Sequence, residues 1–236
     1  NAAIPAFERL QKEGKIDHWG IGGLGQEEAI IQALNHSQAP SAVQCVINPL
    51  NSAGAIGSTG TLLFNGGTLV YSANNTTDYS SRFSTAASQN FNINTSGQDI
   101  SYSTRLASSS GTLTKSGTGS LTLAGANTYN GLTTVSAGTL VSNGTINGDL
   151  SISSGATFDL NQTDTIGSLT GSGTIDIANA KVLTLSSSSN STFSGTISGD
   201  GQLKKSGSGT LILSGTNTYT GGTNFNGGTL QLSSSG

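Results

Sequence analysis

The chain has 236 residues and a formal net charge of −3, with only 9% charged residues and 34 glycines. A near-neutral charge without a basic stripe excludes nucleic acid as a predicted partner. No apolar run approaches the roughly 20 residues that a membrane-spanning helix needs, so the sequence predicts no membrane span.

The composition changes sharply near Gly54, which predicts two domains, residues 1–54 and residues 55–236. Before that point lie both histidines, the single cysteine, the single tryptophan and all four glutamates. After it, glycine, serine, threonine, asparagine and leucine dominate, and aspartate is the only acid. Flexible linkers share this composition. The regular alternation of Leu, Val, Ile and Phe with small polar residues favours ordered strands instead.

The first domain has the pattern of a short α/β segment. Residues 4–13 predict an amphipathic helix that ends at Gly14, because glycine is common just past a helix end. Residues 15–21 predict a strand, residues 26–34 a second helix, and residues 42–47 a buried parallel strand. Alternating helices and strands are typical of α/β architecture.

The runs FERLQKEGKIDHWGIGGLG and VQCVINPLN resemble aldo-keto reductases, whose fold is a TIM barrel. The resemblance implies that Gln44 matches a glutamine that contacts the nicotinamide, whereas Gly22 and Gly23 replace the family's Ser-Asn. The family's catalytic Tyr, Lys, Asp and His have no counterpart here. A quarter of a barrel cannot assemble an active site from several loops. Gln44 is therefore interpreted as a relic, with no catalytic residue and no cofactor predicted.

Other residues of the first domain could suggest chemistry, but structural roles are favoured. His18 and His36 lie on separate predicted elements, without a carboxylate pair at metal-ligand spacing. Cys45 has no base near it in sequence, and cysteines buried in strands are usually inert. Residues 20–25 are rich in glycine but lack the spacing of a phosphate-binding loop, so they predict a turn. No metal site is predicted.

Residues 111–140 recur, shifted by 90 positions, as residues 201–230. The shared positions include Gly111, Leu113, Lys115, Gly119, Leu121, Leu123, Asn127 and Tyr129, matched by Gly201, Leu203, Lys205, Gly209, Leu211, Leu213, Asn217 and Tyr219. Such self-similarity predicts one structural unit used repeatedly. Apolar residues alternate with small polar ones between Gly, Asn and Ser, which predicts short strands separated by turns.

The shared pattern GxLxKxGxGxLxLxGxNxYxGxT…GTL resembles the passenger-associated transport repeat of bacterial autotransporters. The resemblance implies a mainly β fold, a right-handed parallel β-helix (β-solenoid), exported through the outer membrane. It also implies a location at the cell surface or outside the cell. The partners would be the outer-membrane translocation machinery or a missing C-terminal β-barrel.

Further alternating runs predict that the solenoid continues outside the two copies. They lie at residues 60–71, 91–93, 100–102, 150–152, 157–160, 166–169, 174–177, 182–185 and 192–197. Coils of about 20 to 25 residues, stacked about 4.8 Å apart, give about eight coils and a rod of roughly 40 Å. The pair Lys204-Lys205 is interpreted as a solvated turn. Tyr129 and Tyr219 are predicted to pack at or cap equivalent coil corners, a role favoured over stacking on a ligand.

The predicted function is a non-enzymatic structural stalk that aids export and display of a surface protein. A first alternative is an adhesin whose threonine and asparagine faces bind glycans or host or abiotic surfaces. A second is an enzyme, either a polysaccharide-active β-helix or an NADPH-binding reductase remnant. The enzyme candidates are the aspartates at 78, 99, 149, 159, 164, 176 and 200, for which structural roles in turns are favoured. The junction near residues 52–56 is either a genuine fusion, in which the α/β segment covers the first coil, or an erroneous join of two genes.

Overall fold

The computed structural model describes residues 20–22, 42–44 and 60–233, and the chain divides into two compact units, residues 1–60 and 61–236. In the first unit, β1 (Gly20–Gly22) pairs in parallel with β2 (Ala42–Gln44), with Gly22 opposite Gln44. β2 lies within the predicted strand at residues 42–47, and β1 overlaps the end of the predicted strand at residues 15–21. The prediction of a turn beginning at residue 20 was wrong, because Gly20–Gly22 pair with a neighbouring strand. The two predicted helices, His18, His36 and Cys45 lie outside the described residues.

Strands follow one another through the whole described part of the second unit, with one 3-10 turn at Ser80–Arg82. In chain order they are β3 (Thr68–Val70), β4 (Asn90–Asn94), β5 (Ile100–Tyr102), β6 (Thr112–Ser116), β7 (Ser120–Leu123), β8 (Thr133–Val135), β9 (Thr139–Ser142), β10 (Leu150–Ile152), β11 (Thr157–Leu160), β12 (Asp164–Ile166), β13 (Leu169–Gly171), β14 (Thr174–Ile177), β15 (Val182–Leu185), β16 (Ser191–Phe193), β17 (Thr196–Ser198), β18 (Gln202–Lys205), β19 (Thr210–Leu213), β20 (Thr223–Phe225) and β21 (Thr229–Leu232).

These strands form three parallel sheets, which make up the faces of a β-solenoid. Face 1 has nine strands in the order β21-β19-β16-β13-β10-β8-β6-β4-β3. Face 2 has six, β17-β14-β11-β9-β7-β5, and face 3 has four, β12-β15-β18-β20. Where all three faces are present, the chain visits face 1, then face 2, then face 3, and returns to face 1 one rung further on. The predicted β-solenoid is confirmed.

The register on face 1 shows that the coils differ in length. Thr133 pairs with Leu150, whereas Thr68 pairs with Asn92, so the coil that begins at Thr68 is the longer of the two. Nine strands on this face make eight steps, so the prediction of about eight coils is confirmed. At about 4.8 Å per step, the face is about 38 Å long.

The core is a set of continuous columns inside the coils, and it changes character along the solenoid. The first coils bury an aromatic cluster, in which Phe83 lies 5.2 Å from Tyr102 between ring centroids and Phe64 lies 5.2 Å from Phe91. Later coils bury mainly aliphatic side chains, such as Leu140 and Ile175, which are fully buried. In-register burial of equivalent positions explains how a chain with 33% hydrophobic residues forms a core.

Two of the predicted strands are in fact pairs of strands that turn a corner. Residues 166–169 join the end of β12 on face 3 to the start of β13 on face 1. Residues 192–197 join β16 on face 1 to β17 on face 2. The prediction of single strands was wrong here because alternation of apolar and polar residues continues through the corner, and only Gly167 or Gly195 marks it.

The outer surface of face 1 carries two neighbouring columns of hydroxyl side chains, which we call the hydroxyl face. The first column runs through in-register positions from β6 to β16, namely Thr114, Thr134, Ser151, Thr170 and Thr192. The second column stands two positions further along each rung, at Ser116, Ser136, Ser153, Ser172 and Ser194. All ten are half-buried or exposed.

Candidate functional site

The two copies of the repeated sequence adopt the same local structure on different faces of the solenoid. In the first copy, β6 and β8 lie on face 1, and β7 and β9 on face 2. In the second copy, the equivalent β18 and β20 lie on face 3, and β19 and β21 on face 1. The separation of the two copies along the chain is therefore not a whole number of coils. The repeated sequence therefore forms the same local structure whether it begins on face 1 or on face 3.

Lys115 in β6 lies inside the solenoid and is fully buried. It occupies an apolar core column, between Ile93 and Val135 in register. Its Nζ donates hydrogen bonds to the carbonyl oxygens of Gly117 at 2.7 Å, Ala137 at 3.0 Å and Ser116 at 3.2 Å. Burial lowers the pKa of Lys115 to about 8. The side chain thus ties one coil to the next through backbone carbonyl groups.

Lys205 is the equivalent residue in the second copy, and the interpretation of Lys204-Lys205 as a solvated turn is wrong. Both residues belong to β18, and Lys205 points inward, in register with Leu185. Only 3% of its surface is exposed, and its Nζ donates to the carbonyl oxygen of Gly207. Burial lowers its pKa as well. The alternation that places Leu203 inward also places Lys205 inward.

Asn127 and Asn217 replace strand hydrogen bonds where the repeat has no strand. Asn127 is buried, and its Oδ1 accepts the backbone N–H of Leu106 in the preceding coil at 2.8 Å. Its Nδ2 donates to the carbonyl oxygen of Thr145 in the following coil at 2.8 Å. The Oδ1 of Asn217 accepts the N–H of Ile197 at 2.9 Å. Since buried backbone groups need partners, each asparagine stabilises a segment that would otherwise leave them unpaired.

Tyr129 and Tyr219 lie in the same strand-free segments as Asn127 and Asn217, and each bonds to a threonine in the next strand. Tyr129 is fully buried, and its hydroxyl hydrogen-bonds the Thr133 hydroxyl, with an O–O distance of 2.8 Å. Tyr219 makes the same contact with Thr223 but remains half-buried. Burial raises the pKa of Tyr129, so it stays a neutral hydrogen-bonding group. Tyr129 thus packs within the core, between face 2 and the next strand of face 1.

The remaining shared residues form the core columns and the turns. The leucines at 113, 121, 123, 203, 211 and 213 are all buried. Gly111, Gly201 and Gly209 are buried, and Gly119 is half-buried. Gly138 has φ +65°, and a Cβ there would lie 2.3 Å from the carbonyl oxygen of Gly119 and 2.6 Å from that of Gly117. Glycine is therefore required at this turn, both for its backbone conformation and for its close approach to the preceding coil.

The candidate aspartates are distributed over the coils. Asp159 and Asp164 are close in sequence but lie on different faces: Asp159 points outward on face 2 and Asp164 inward on face 3. Asp159 instead stands beside Asp176 in register, a juxtaposition that coil stacking creates and linear spacing does not reveal. Burial first, and the charge of Asp176 in addition, raise the pKa of Asp159, which its hydrogen bond with Asn161 only partly offsets.

Asp164 is buried, with only 5% of its surface exposed. Its Oδ2 accepts the N–H of Ile146 in the preceding coil at 2.7 Å, and its Oδ1 accepts the N–H of Thr165 at 2.8 Å. Burial raises its pKa to about 6, against the effect of both hydrogen bonds. Asp164 is the first residue of β12, the first strand of face 3. The preceding coil has no strand on this face, so the side chain of Asp164 accepts the N–H of Ile146 in place of a strand partner.

Most other aspartates accept hydrogen bonds from a neighbouring coil. Asp99 accepts the N–H and hydroxyl of Ser120, and Asp149 accepts the N–H of Ser168. In the part of the chain that the structure describes, no three His, Cys, Asp or Glu side chains come together as a metal site. The same described residues include no helix of the length and hydropathy that crossing a membrane requires.

Comparison with known proteins agrees with this geometry. The model of the passenger-associated-transport-repeat family matches residues 113–141 and 203–232, which are the two copies described above. No solved structure matches the chain. The described part of the second unit is a β-solenoid that carries two passenger-associated transport repeats.

A stretch of 43 residues is 51% identical to the adhesin BmaC autotransporter of Brucella suis biovar 1 (strain 1330). That stretch is 18% of this chain and 1% of the length of the adhesin. The resemblance of residues 1–54 to aldo-keto reductases remains a prediction. The backbone of Gln44 lies in β2, and the structure does not describe its side chain.

Proposed function

We propose that the solenoid is a non-enzymatic structural stalk of an autotransporter-like protein, located at the cell surface or outside the cell, where it supports export and display. The observation that carries this proposal is the use of the repeat's polar residues. Lys115, Asn127 and Tyr129 all point inward and bond within or between coils. A repeat that uses its polar groups for stacking is suited to building a rod.

Stacking also suggests how the repeat supports export. Each coil leaves a row of unpaired backbone groups that the next coil completes, so coils add to a formed edge one at a time. Lys115 and Asn127 each reach a carbonyl oxygen in the next coil, at Ala137 and Thr145. Folding outside the cell in this order would oppose backward movement of the chain. The proposed partner in this step is the outer-membrane translocation machinery.

An adhesin is the second candidate, and the match to an adhesin autotransporter favours it. In this case the outward threonine, serine and asparagine side chains would contact the ligand, while the repeats keep the same internal role. A stalk and an adhesive surface are compatible in one solenoid.

The display role is tested in the intact protein in its native cells by exchanging the second repeat. Scrambling residues 201–230 should lower the surface signal of a tag placed in the passenger at least several-fold, because the last coils lose their internal bonds. Replacing the same residues by a copy of residues 111–140 is the matched control. It should preserve display, because the repeat folds equally on either face.

Surface labelling by an antibody against the tag, normalised to total protein, gives the measurement. Undiminished display of the scrambled variant would refute the export role. Equal loss in the scrambled variant and in the repeat-for-repeat control would show that something other than the repeat pattern matters at this position.

A further inference from the structure

We propose that the last described coil is an interface for one further β-solenoid coil of the same polypeptide, with the apolar pattern of residues 150–160. The proposal rests on the difference between the two repeats, because equivalent surfaces are covered in the first copy and open in the second. It goes beyond the stalk and adhesin roles and depends on neither.

The surface is the edge formed by β20 and β21, which we call the open end. Among the described strands, β20 pairs only with β18 and β21 only with β19. Two large apolar side chains are exposed there, Phe225 at 60% and Leu232 at 69%, and Tyr219 and Leu230 are half-buried. Solenoids that end in water carry a polar outer surface on the terminal coil. Exposed apolar side chains of this size therefore indicate a contact surface.

The equivalent surface of the first repeat is fully covered. The side chains that match Tyr219, Phe225 and Leu230 have no exposed area, namely Tyr129, Val135 and Leu140. The segment that covers them is the next coil, residues 143–160, whose β10 pairs with β8 and whose β11 pairs with β9. The first repeat thus shows the chemistry that suits the open end. An extended backbone completes both edge strands, and apolar side chains continue the core columns.

The covering coil has a defined pattern of inward residues. Leu150 and Ile152 lie in register with β8, and Phe158 and Leu160 with β9. All four side chains are fully buried, and five residues separate the first pair from the second. At the open end, the first pair would complete β20 and the second pair β21. The proposed occupant therefore has two pairs of alternating apolar residues at this separation.

Asn217 makes the bonds of its counterpart except the one to a further coil. Its Oδ1 accepts the N–H of Ile197 in the preceding coil, and its Nδ2 donates to the carbonyl oxygen of Gly215 at 3.1 Å. Asn127 makes both equivalent bonds and also donates from Nδ2 to the carbonyl oxygen of Thr145 in the next coil. Among the described residues, that third bond has no counterpart at Asn217. A further coil would supply the carbonyl oxygen.

The path of the backbone favours the same polypeptide over a second molecule. After β9, the N–H of Asn143 donates to the carbonyl oxygen of Leu123 at 3.0 Å, and the chain goes on to form the covering coil. After β21, the N–H of Ser233 donates to the carbonyl oxygen of Leu213 at 3.0 Å. The backbone thus leaves both repeats with the same hydrogen bond. A coil joined to β21 also loses less entropy on docking than a separate molecule does.

The test extends the whole chain by the coil that covers the first repeat. A copy of residues 143–160 is joined directly to Leu232, in place of residues 233–236, so that it follows β21 as the original follows β9. The matched control carries serine at the four inward positions of the added copy only, as Leu150→Ser, Ile152→Ser, Phe158→Ser and Leu160→Ser. Hydrogen–deuterium exchange of β20 and β21 gives the measurement. Unchanged exchange of residues 112–142 confirms that each variant folds.

The proposal predicts that the extension slows exchange in β20 and β21 at least tenfold, because both edges of these strands become paired. The serine control should slow it less than twofold. Phe225→Ser in the extended chain should reduce the slowing to less than threefold, because the added coil loses an apolar contact.

Equal exchange with and without the extension, or equal slowing by the extension and its serine control, would overturn the proposal. Protection of β20 and β21 in the unextended chain, at concentrations where sedimentation shows a dimer, would also overturn it, because the open end would then bind a second copy. Since the assay uses purified chain, these outcomes are independent of the display test. Failure of one proposal leaves the other standing.

Discussion

Replacing Lys115 by methionine is expected to destabilise the solenoid by about 2–4 kcal/mol at pH 7. The side chain lies fully buried, and its Nζ donates to three backbone carbonyl oxygens, of which Ala137 belongs to the next coil. Hydrogen bonds from a charged group contribute about 1.5–3 kcal/mol each, and burying the charge offsets part of that sum. Methionine keeps most of the volume but supplies no donor. Denaturant unfolding of the whole chain measures the difference.

The second repeat supplies the control for this prediction. Lys205→Met should cost less, about 1 kcal/mol, because Lys205 lies nearer the last described coil and its Nζ donates to Gly207. If Lys115→Met were as stable as the wild type, the buried lysine would not stabilise the coil.

The pH dependence of Lys115 has a defined sign. Its pKa is about 8 in the folded chain and about 10.5 unfolded, so the unfolded chain binds more protons between these values. The wild type should therefore gain stability as the pH rises above about 8, and Lys115→Met should lose much of that gain. Near pH 10 the buried tyrosines act in the opposite sense, since burial raises the pKa of Tyr129 above 10.0. The contribution of Lys115 is therefore best measured between about pH 8 and pH 9.5.

Replacing Asp164 by asparagine is expected to raise stability at pH 7 by about 1–2 kcal/mol. Burial raises the pKa of Asp164 from 3.8 to about 6, which corresponds to about 3 kcal/mol against the charged form. The asparagine side chain carries no charge but accepts one of the two N–H groups, from Ile146 or Thr165, so about one hydrogen bond is lost.

The sign of the pH effect separates this explanation from a packing effect. The folded chain binds more protons than the unfolded chain between pH 3.8 and about 6, so the wild type loses stability as the pH rises through that interval. Asp164→Asn should remove the part of that slope that Asp164 contributes. Asp200→Asn, at an exposed position, should leave that part unchanged. An undiminished slope in Asp164→Asn would show that another group is responsible for it.

The sequence was sufficient to predict the solenoid, because apolar and polar residues continue to alternate from one coil to the next. It was also sufficient to find the two repeats, since Asn127 and Tyr129 recur at the same spacing as Asn217 and Tyr219. It was harder to predict that Tyr129 is fully buried. Its burial depends on the absence of a strand on one face, which the spacing of residues along the sequence does not indicate.

Lys205 and Asp164, two of the three charged residues that are buried in the described part of the solenoid, show where the prediction from composition was weakest. The rule that lysines are solvated led to a turn at Lys204-Lys205, although the alternation from Leu203 placed Lys205 inward. Lys205 can point inward because the carbonyl oxygen of Gly207 accepts a hydrogen bond from its Nζ. Asp164 follows the same pattern, since it shares its inward side with Ile166. In this fold, the alternation of residues with a period of two predicts whether a side chain points inward or outward better than the charge of that side chain does.

Contacts between coils could not be predicted from spacing, because coil length varies. Thr133 pairs with Leu150 and Thr68 pairs with Asn92 on the same face, so residues that meet are not separated by a fixed number of positions. The pairing of Asp159 with Asp176 and the columns of the hydroxyl face both depend on the register of these uneven coils. For the same reason, the second repeat lies on other faces than the first.

Hydrogen–deuterium exchange of the whole chain tests the central claim most directly, namely that transport repeats bond stacked coils together. We predict that peptides within residues 112–142 and 202–213 keep their backbone deuterium uptake low long after an unstructured chain would have exchanged, because both edges of these strands are paired. Complete exchange of these peptides at the first time point would contradict the account. It would identify the glycine- and serine-rich sequence as a flexible linker.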